Sequence, residues 1–93
     1  GLLNVYRLSG STFGANKRRL AALFRVRRRS RVSVVVRRGG RVVRRLRTRS
    51  FAARRPFRLA IPSKGLRRGD YRVTVTARSG SERVTRTLVS RRL

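Results

Sequence analysis

Arginine is the residue type in this chain that is most able to do chemistry. The 93 residues include 26 arginines and two lysines but only two acids, Asp70 and Glu82, which gives a formal net charge of +26. A guanidinium group binds carboxylate, sulfate and phosphate through a planar fork of N–H donors. The composition therefore predicts binding of anions, and a partner that carries many negative charges.

Several classes of site lack the side chains they need. The chain contains no cysteine and no histidine. Disulfides, thiolate metal sites, Ser-His-Asp chemistry and most general acid–base catalysis are therefore excluded or disfavoured. We predict a protein that is not an enzyme and that uses no cofactor and no metal.

Genome composition offers a second explanation of the high arginine content. A GC-rich genome enriches arginine over lysine without selection for binding, but it does not explain the missing acids, because GC-rich codons also encode Asp and Glu. A surface that is neutralised by small counterions is the alternative to a polymeric partner. Without anions, such a surface repels itself and disfavours self-association.

The hydrophobic pattern predicts a single domain of short antiparallel strands. High net charge favours disorder, but apolar residues make up 39% of the chain and alternate regularly in several segments. Glycine and small polar residues interrupt the sequence about every ten residues, as in a β-sandwich. The predicted core residues are Leu20, Phe24, Val32, Val34, Val36, Leu59, Ile61, Tyr71, Val73 and Val75.

The clearest local prediction is a hairpin in "RVSVVVRRGGRVVRRLR", residues 31–47. Gly39-Gly40 fits a type I′ turn, which needs positive φ at both central residues. A two-residue turn places Val36 opposite Val43 and the apolar Leu46 opposite a serine. Because this register splits the apolar residues between two faces, it predicts a bulge or an edge strand.

Two further segments are predicted to be strands. In "RRLAALFRVRR" the residues Leu20, Ala22, Phe24 and Val26 share one face of a predicted strand, with a helix over 17–28 as the alternative. Residues 57–61 are bracketed by two prolines, which favours an edge strand.

The spacing L-x-x-G-x-Y carries a more specific signal. Leu66, Gly69 and Tyr71 precede the alternating strand "YRVTVTA". This arrangement resembles the tyrosine corner of Ig-like and fibronectin-type sandwiches, in which a tyrosine hydroxyl binds the upstream backbone. A tyrosine packed at a strand end without such a bond is the alternative.

Residues 8–93 resemble the Ig-like modules of bacterial, particularly actinobacterial-type, secreted and surface proteins. The resemblance rests on "LSGSTF", "VSVVVRRGGRVVRRL" and "GLRRGDYRVTVTARSGSERVTRTL". It implies an all-β, Ig-like or fibronectin-like antiparallel β-sandwich of about seven strands. It also implies a structural or interaction role at the cell surface or outside the cell. The chain departs from antibody-type domains because it lacks their cysteine pair and core tryptophan.

The N-terminus suggests two domain-level possibilities. Residues 1–9 are predicted as an arm and 10–93 as the sandwich. The arm either is the first strand of its own domain or pairs with the edge of a neighbouring subunit, which would build filaments. The predicted inter-subunit residues are Leu2, Leu3, Val5, Tyr6 and Leu8.

Outward strand positions are largely arginine, so the charge is expected to cover both sheets. We predict a fibre-forming or surface-forming homopolymer that binds acidic polysaccharide, glycan or cell-wall polymer. The alternative is a basic protein that binds or compacts nucleic acid without sequence preference, although no stacking platform or known nucleic-acid motif is evident. We expect neither a transmembrane segment nor a signal peptide. The predicted polyanion-binding residues are Arg25, Arg27, Arg31, Arg37, Arg44, Arg47, Arg58, Arg72 and Arg86.

Overall fold

A computed structural model describes residues 1–15 and 18–93, except for the side chain of Val5. This part of the chain contains eight β-strands and no α-helix. The strands are β1 (Leu3–Leu8), β2 (Thr12–Phe13), β3 (Ala21–Val26), β4 (Ser30–Arg38), β5 (Arg41–Phe51), β6 (Phe57–Ala60), β7 (Gly69–Ser79) and β8 (Glu82–Arg92).

The strands form two sheets around one core. The smaller sheet has the order β1-β3-β6, and the larger has the order β2-β8-β7-β4-β5. All neighbours are antiparallel except β2 and β8, which run parallel. The predicted all-β architecture is confirmed, and the described chain has eight strands against the predicted seven because it includes the two-residue β2.

The segment "RRLAALFRVRR" contains a strand. Ala21–Val26 forms β3, so the helix alternative is wrong for these residues, and Lys17 lies outside the described part. Leu20, Ala22, Phe24 and Val26 are all buried, as alternation at period two requires. β6 is an edge strand, as its flanking prolines predicted.

Bulges in the hairpin of β4 and β5 explain why its apolar residues are divided between two faces in a regular register. Arg38 pairs with Arg41 across the two-residue turn, but φ is positive (61°) only at Gly39, as in a type II′ rather than a type I′ turn. A register shift after Val36 places that residue opposite Arg44, and a second one lies between Val32 and Val34. β5 is thus both bulged and an edge strand, and the predicted pairing of Val36 with Val43 is wrong.

The core lies between the two sheets and matches the prediction closely. All ten predicted core residues are buried except Leu59, which is half-buried and packs against the core. Phe13 is completely buried and meets Tyr71 edge-on, with ring centroids 5.8 Å apart. A second aromatic group, at the other end of the core, consists of Phe24, Phe51 and Phe57.

The predicted N-terminal arm is part of this chain's own sandwich. β1 pairs with β3, and Leu2 and Leu3 are buried in the core. Leu8 packs partly against the core, whereas Tyr6 is 38% exposed. Since β1 ends its sheet, one of its edges has no neighbouring strand in the described chain.

β2, near the start of the chain, pairs with β8, near its end, in the larger sheet. Phe13 in β2 lies in register with Arg92 in β8. The buried Ser90 hydroxyl donates a hydrogen bond to the Gly10 carbonyl oxygen at 2.9 Å, across 80 residues of sequence. β2 is therefore held by contacts with β8 and by the burial of Phe13.

Candidate anion-binding surface

The L-x-x-G-x-Y motif forms the predicted backbone contact. The Tyr71 hydroxyl donates a hydrogen bond to the Arg67 carbonyl oxygen at 2.6 Å. Leu66 is buried under the connection, and Gly69 has φ of 136°, a region that side chains strongly disfavour. The motif thus fixes the loop that leads into β7.

Three arginines bind the carbonyl oxygens of the same loop, residues 62–68. We call Arg38, Arg44 and Arg92 the loop-bonded arginines. Because an irregular loop lacks strand partners for its backbone, side-chain donors from other strands satisfy its carbonyl groups. The bonds run from Arg44 to Pro62 O (3.1 Å) and to Lys64 O, from Arg92 to Leu66 O (2.6 Å), and from Arg38 to Arg68 O (3.2 Å).

Arg44 therefore does not face outward to solvent, contrary to the sequence prediction. The bulge after Val36 adds one residue to β5, and a shift of one residue moves every later side chain to the opposite face. Arg44 is consequently opposite Val36 on the inner side of the sheet, half-buried, and also donates to its neighbour's carbonyl, Val43 O, at 2.7 Å.

Arg86 also lies on the inner side of its strand, whereas the sequence analysis predicted that it faces outward. It lies opposite the buried Val75, in phase with the half-buried Val84 and Leu88 on the inner side of β8. Its side chain remains exposed, and its guanidinium lies 5.7 Å from the centroid of the Tyr6 ring in β1. The contact is a cation–π pair between the two sheets.

Three other predicted residues lie at the smaller sheet. Arg25 and Arg58 point outward from β3 and β6, and Arg27 follows β3 in an exposed position. Arg25 is half-buried beside a shallow cleft of about 230 Å³, and its Nε atom has no hydrogen-bond partner in the described chain. These residues are separate from the arginines of the larger sheet.

The remaining predicted residues come together on the side of the larger sheet that points away from the core, which we call the outer face. Arg31 and Arg37 of β4 lie opposite Arg78 and Arg72 of β7, respectively. Arg47 lines a shallow depression at the edge of this face. The prediction missed four arginines that the sheet register places on the same face: Arg45, Arg78, Arg83 and, at the end beside Asp70, Arg91.

Hydroxyl groups occupy the centre of the outer face. Ser33 lies opposite Thr76, whose hydroxyl is 3.2 Å from that of Thr85. One step along the strands, the hydroxyls of Thr74 and Thr87 are 3.3 Å apart. A cleft of about 440 Å³ runs over this centre and is lined by both hydroxyls and arginines.

Both acids lie away from that centre. Asp70 is at the start of β7, where its carboxylate is 4.0 Å from the Arg91 guanidinium. Glu82 forms an ion pair with Arg28 at the opposite end of β8. The central outer face therefore carries positive charge without a carboxylate in the described chain.

Comparison with protein-family models, with curated proteins and with solved structures gave no match. Within residues 1–15 and 18–93, no group of three or more His, Cys, Asp or Glu side chains is placed to hold a metal ion. The same residues contain no helix with the length and hydrophobicity needed to cross a membrane.

Proposed function

We propose that this protein is a non-enzymatic, Ig-like β-sandwich module that binds an extended anionic polymer at the cell surface or outside the cell. The outer face supports this proposal best, because arginines from four adjacent strands converge there without a carboxylate between them. Guanidinium groups arranged over such an area match repeated anionic groups better than a single small ion.

The strand order supports the Ig-like assignment. A sheet of β1, β3 and β6 facing one of β8, β7, β4 and β5 corresponds to the arrangement of first, second and fifth strands against the others in Ig-like sandwiches. The Tyr71 bond at the start of the penultimate strand is a second supporting feature. Extracellular modules of this kind act mainly through their surfaces, which agrees with a binding role.

A direct test measures binding of the whole protein to labelled oligogalacturonate, inorganic polyphosphate and duplex DNA, with uncharged dextran as the control. We expect binding to polyanions but not to dextran, with log affinity falling linearly as log salt concentration rises, because counterions are released. Absence of polyanion binding at about 0.15 M salt, where charges more than ~8 Å apart are screened, would overturn the proposal.

Fibre assembly is a separate part of the proposal. The end position of β1 supports it, since exchange of this strand between copies would recreate the same β1–β3 pairing. Deleting residues 1–9 is an ambiguous test, because it also removes Leu2 and Leu3 from the core. Negative-stain microscopy before and after nuclease treatment is cleaner: nuclease-resistant filaments support assembly, and monomers in both samples contradict it.

A further inference from the structure

We infer that the outer face binds a polymer of acidic sugars, with sugar hydroxyls over its threonines and acidic groups on its arginines. This inference rests on the proposed polyanion-binding function and specifies the chemistry of the ligand and its location. The chemical class is an oligosaccharide or polysaccharide that carries both free hydroxyls and carboxylate or sulfate groups.

Five arginines of the outer face form two rows that cross the strands, and Arg45 and Arg47 of β5 lie between these rows at the edge of the sheet. In the first row Arg31, Arg78 and Arg83 are cross-strand neighbours. In the second row Arg37 and Arg72 are neighbours. The rows lie six residue steps apart along β4, which corresponds to ~20 Å at the usual rise of ~3.3 Å per residue. A ligand that contacts both rows must therefore be an extended chain.

Two rows of mostly hydroxyl side chains fill the space between the arginine rows. Their cross-strand neighbours are Ser33, Thr76 and Thr85 in one row, and Val35, Thr74 and Thr87 in the other. β-Branched threonine suits a strand, but valine would serve the fold equally on an exposed face. The order of the rows therefore places hydrogen-bonding groups between two sets of positive charges.

The hydroxyl pairs leave more acceptors than donors for a ligand. Each threonine hydroxyl has one hydrogen to donate and two lone pairs. In the pair Thr76–Thr85 one hydrogen and one lone pair are used within the pair, so one donor and three acceptor positions remain. The same count applies to Thr74 and Thr87. A suitable ligand must therefore supply donors as well as negative charge.

Acidic sugars meet this requirement better than nucleic acid. Sugar hydroxyls donate and accept, whereas the backbone of duplex DNA offers only acceptors. Nucleic-acid bases bind most readily by stacking on aromatic rings. None of the aromatic residues in the described chain lies on the outer face, since five pack in or against the core and Tyr6 lies under Arg86. The outer face thus lacks a base-stacking surface.

The first experiment compares two triple variants of equal charge. Arg31→Gln/Arg78→Gln/Arg83→Gln removes one arginine row, and Arg7→Gln/Arg19→Gln/Arg55→Gln removes three exposed arginines outside the larger sheet. We expect the first variant to bind oligogalacturonate roughly tenfold or more weakly than wild type, as loss of charge-assisted hydrogen bonds predicts. The second should retain affinity within about threefold, the effect of lowering the net charge alone.

The second experiment isolates the hydroxyls. Thr74→Val/Thr76→Val keeps β-branched side chains on β7 and leaves every arginine in place. We expect binding to oligogalacturonate to weaken about three- to tenfold, the usual net effect of one or two hydrogen bonds. Binding to inorganic polyphosphate, which has no sugar hydroxyls, should stay unchanged. Thermal unfolding of each variant checks that the fold is retained.

The outcomes separate this inference from the function on which it rests. Selective loss in the arginine-row variant, together with the sugar-specific loss in the threonine variant, supports it. Equal losses in both triple variants, or a threonine variant that binds oligogalacturonate as wild type does, overturn it while polyanion binding itself stands. Failure of the wild-type protein to bind either probe would overturn both.

Discussion

Arg44 and Arg45 are adjacent on β5, yet they belong to different parts of the molecule. Arg44 points inward and is bonded to three carbonyl oxygens of its own chain. Arg45 lies opposite Val35 and lines the cleft of the outer face. In a chain with two carboxylates, some guanidinium groups are satisfied by backbone carbonyls, so positive charge does not by itself mark a binding residue.

The largest expected difference between these neighbours is in stability. Arg44→Gln should lower the free energy of unfolding by about 2 kcal/mol, because two carbonyl groups of the loop lose a charged donor. Arg45→Gln should change it by less than about 0.5 kcal/mol, as exposed substitutions usually do. Urea titration of the two variants measures both values. Equal destabilisation would contradict the distinction between loop-bonded and outer-face arginines.

The hydroxyl of Tyr71 tests the same loop without changing charge. Tyr71→Phe should cost about 1 kcal/mol, since the Arg67 carbonyl loses its partner in a partly buried position. Tyr6→Phe is the matched control, because this ring is exposed and its contact with Arg86 does not use the hydroxyl. A melting temperature unchanged by Tyr71→Phe would show that the bond does not hold the loop.

The smallest effect concerns Arg86, which belongs to neither group. Its contact with Tyr6 should contribute about 0.5 kcal/mol, as expected for an exposed cation–π pair. A double-mutant cycle with Arg86→Gln and Tyr6→Leu isolates this coupling from the general effect of removing a charge. Zero coupling energy would reassign Arg86 to the solvent-facing arginines.

Much of the fold could be predicted from alternation. Alternation predicts β4 and β7 correctly because their valines recur at every second position beside polar residues. Counting by twos fails after a bulge, so alternation alone predicts the wrong face for Arg44. Arg86 was in phase with Val84 and Leu88, so the sequence did contain the signal for its inward position.

Other features depend on contacts that the sequence does not mark. β2 has two residues, and a pattern of two cannot show a period. The loop carbonyls that Arg44 and Arg38 bind lie 18 to 30 residues away and belong to the backbone, which has no residue-specific signature. The rows of the outer face likewise appear only when the registers of three strand pairs are combined.

The pairing of β2 with β8 has a consequence for the order of folding. Gly10 and Ser90 must meet across 80 residues, and contacts between such distant positions form slowly because loop closure costs entropy before it brings any stabilising contact. We therefore expect Phe13, which is completely buried in the folded protein, to enter the core late. At a synthesis rate of ~5–20 residues per second, β8 is completed roughly 4–16 s after β2. During this interval Phe13 lacks its partner strand, and the positive charge of the chain helps to keep unfinished chains apart.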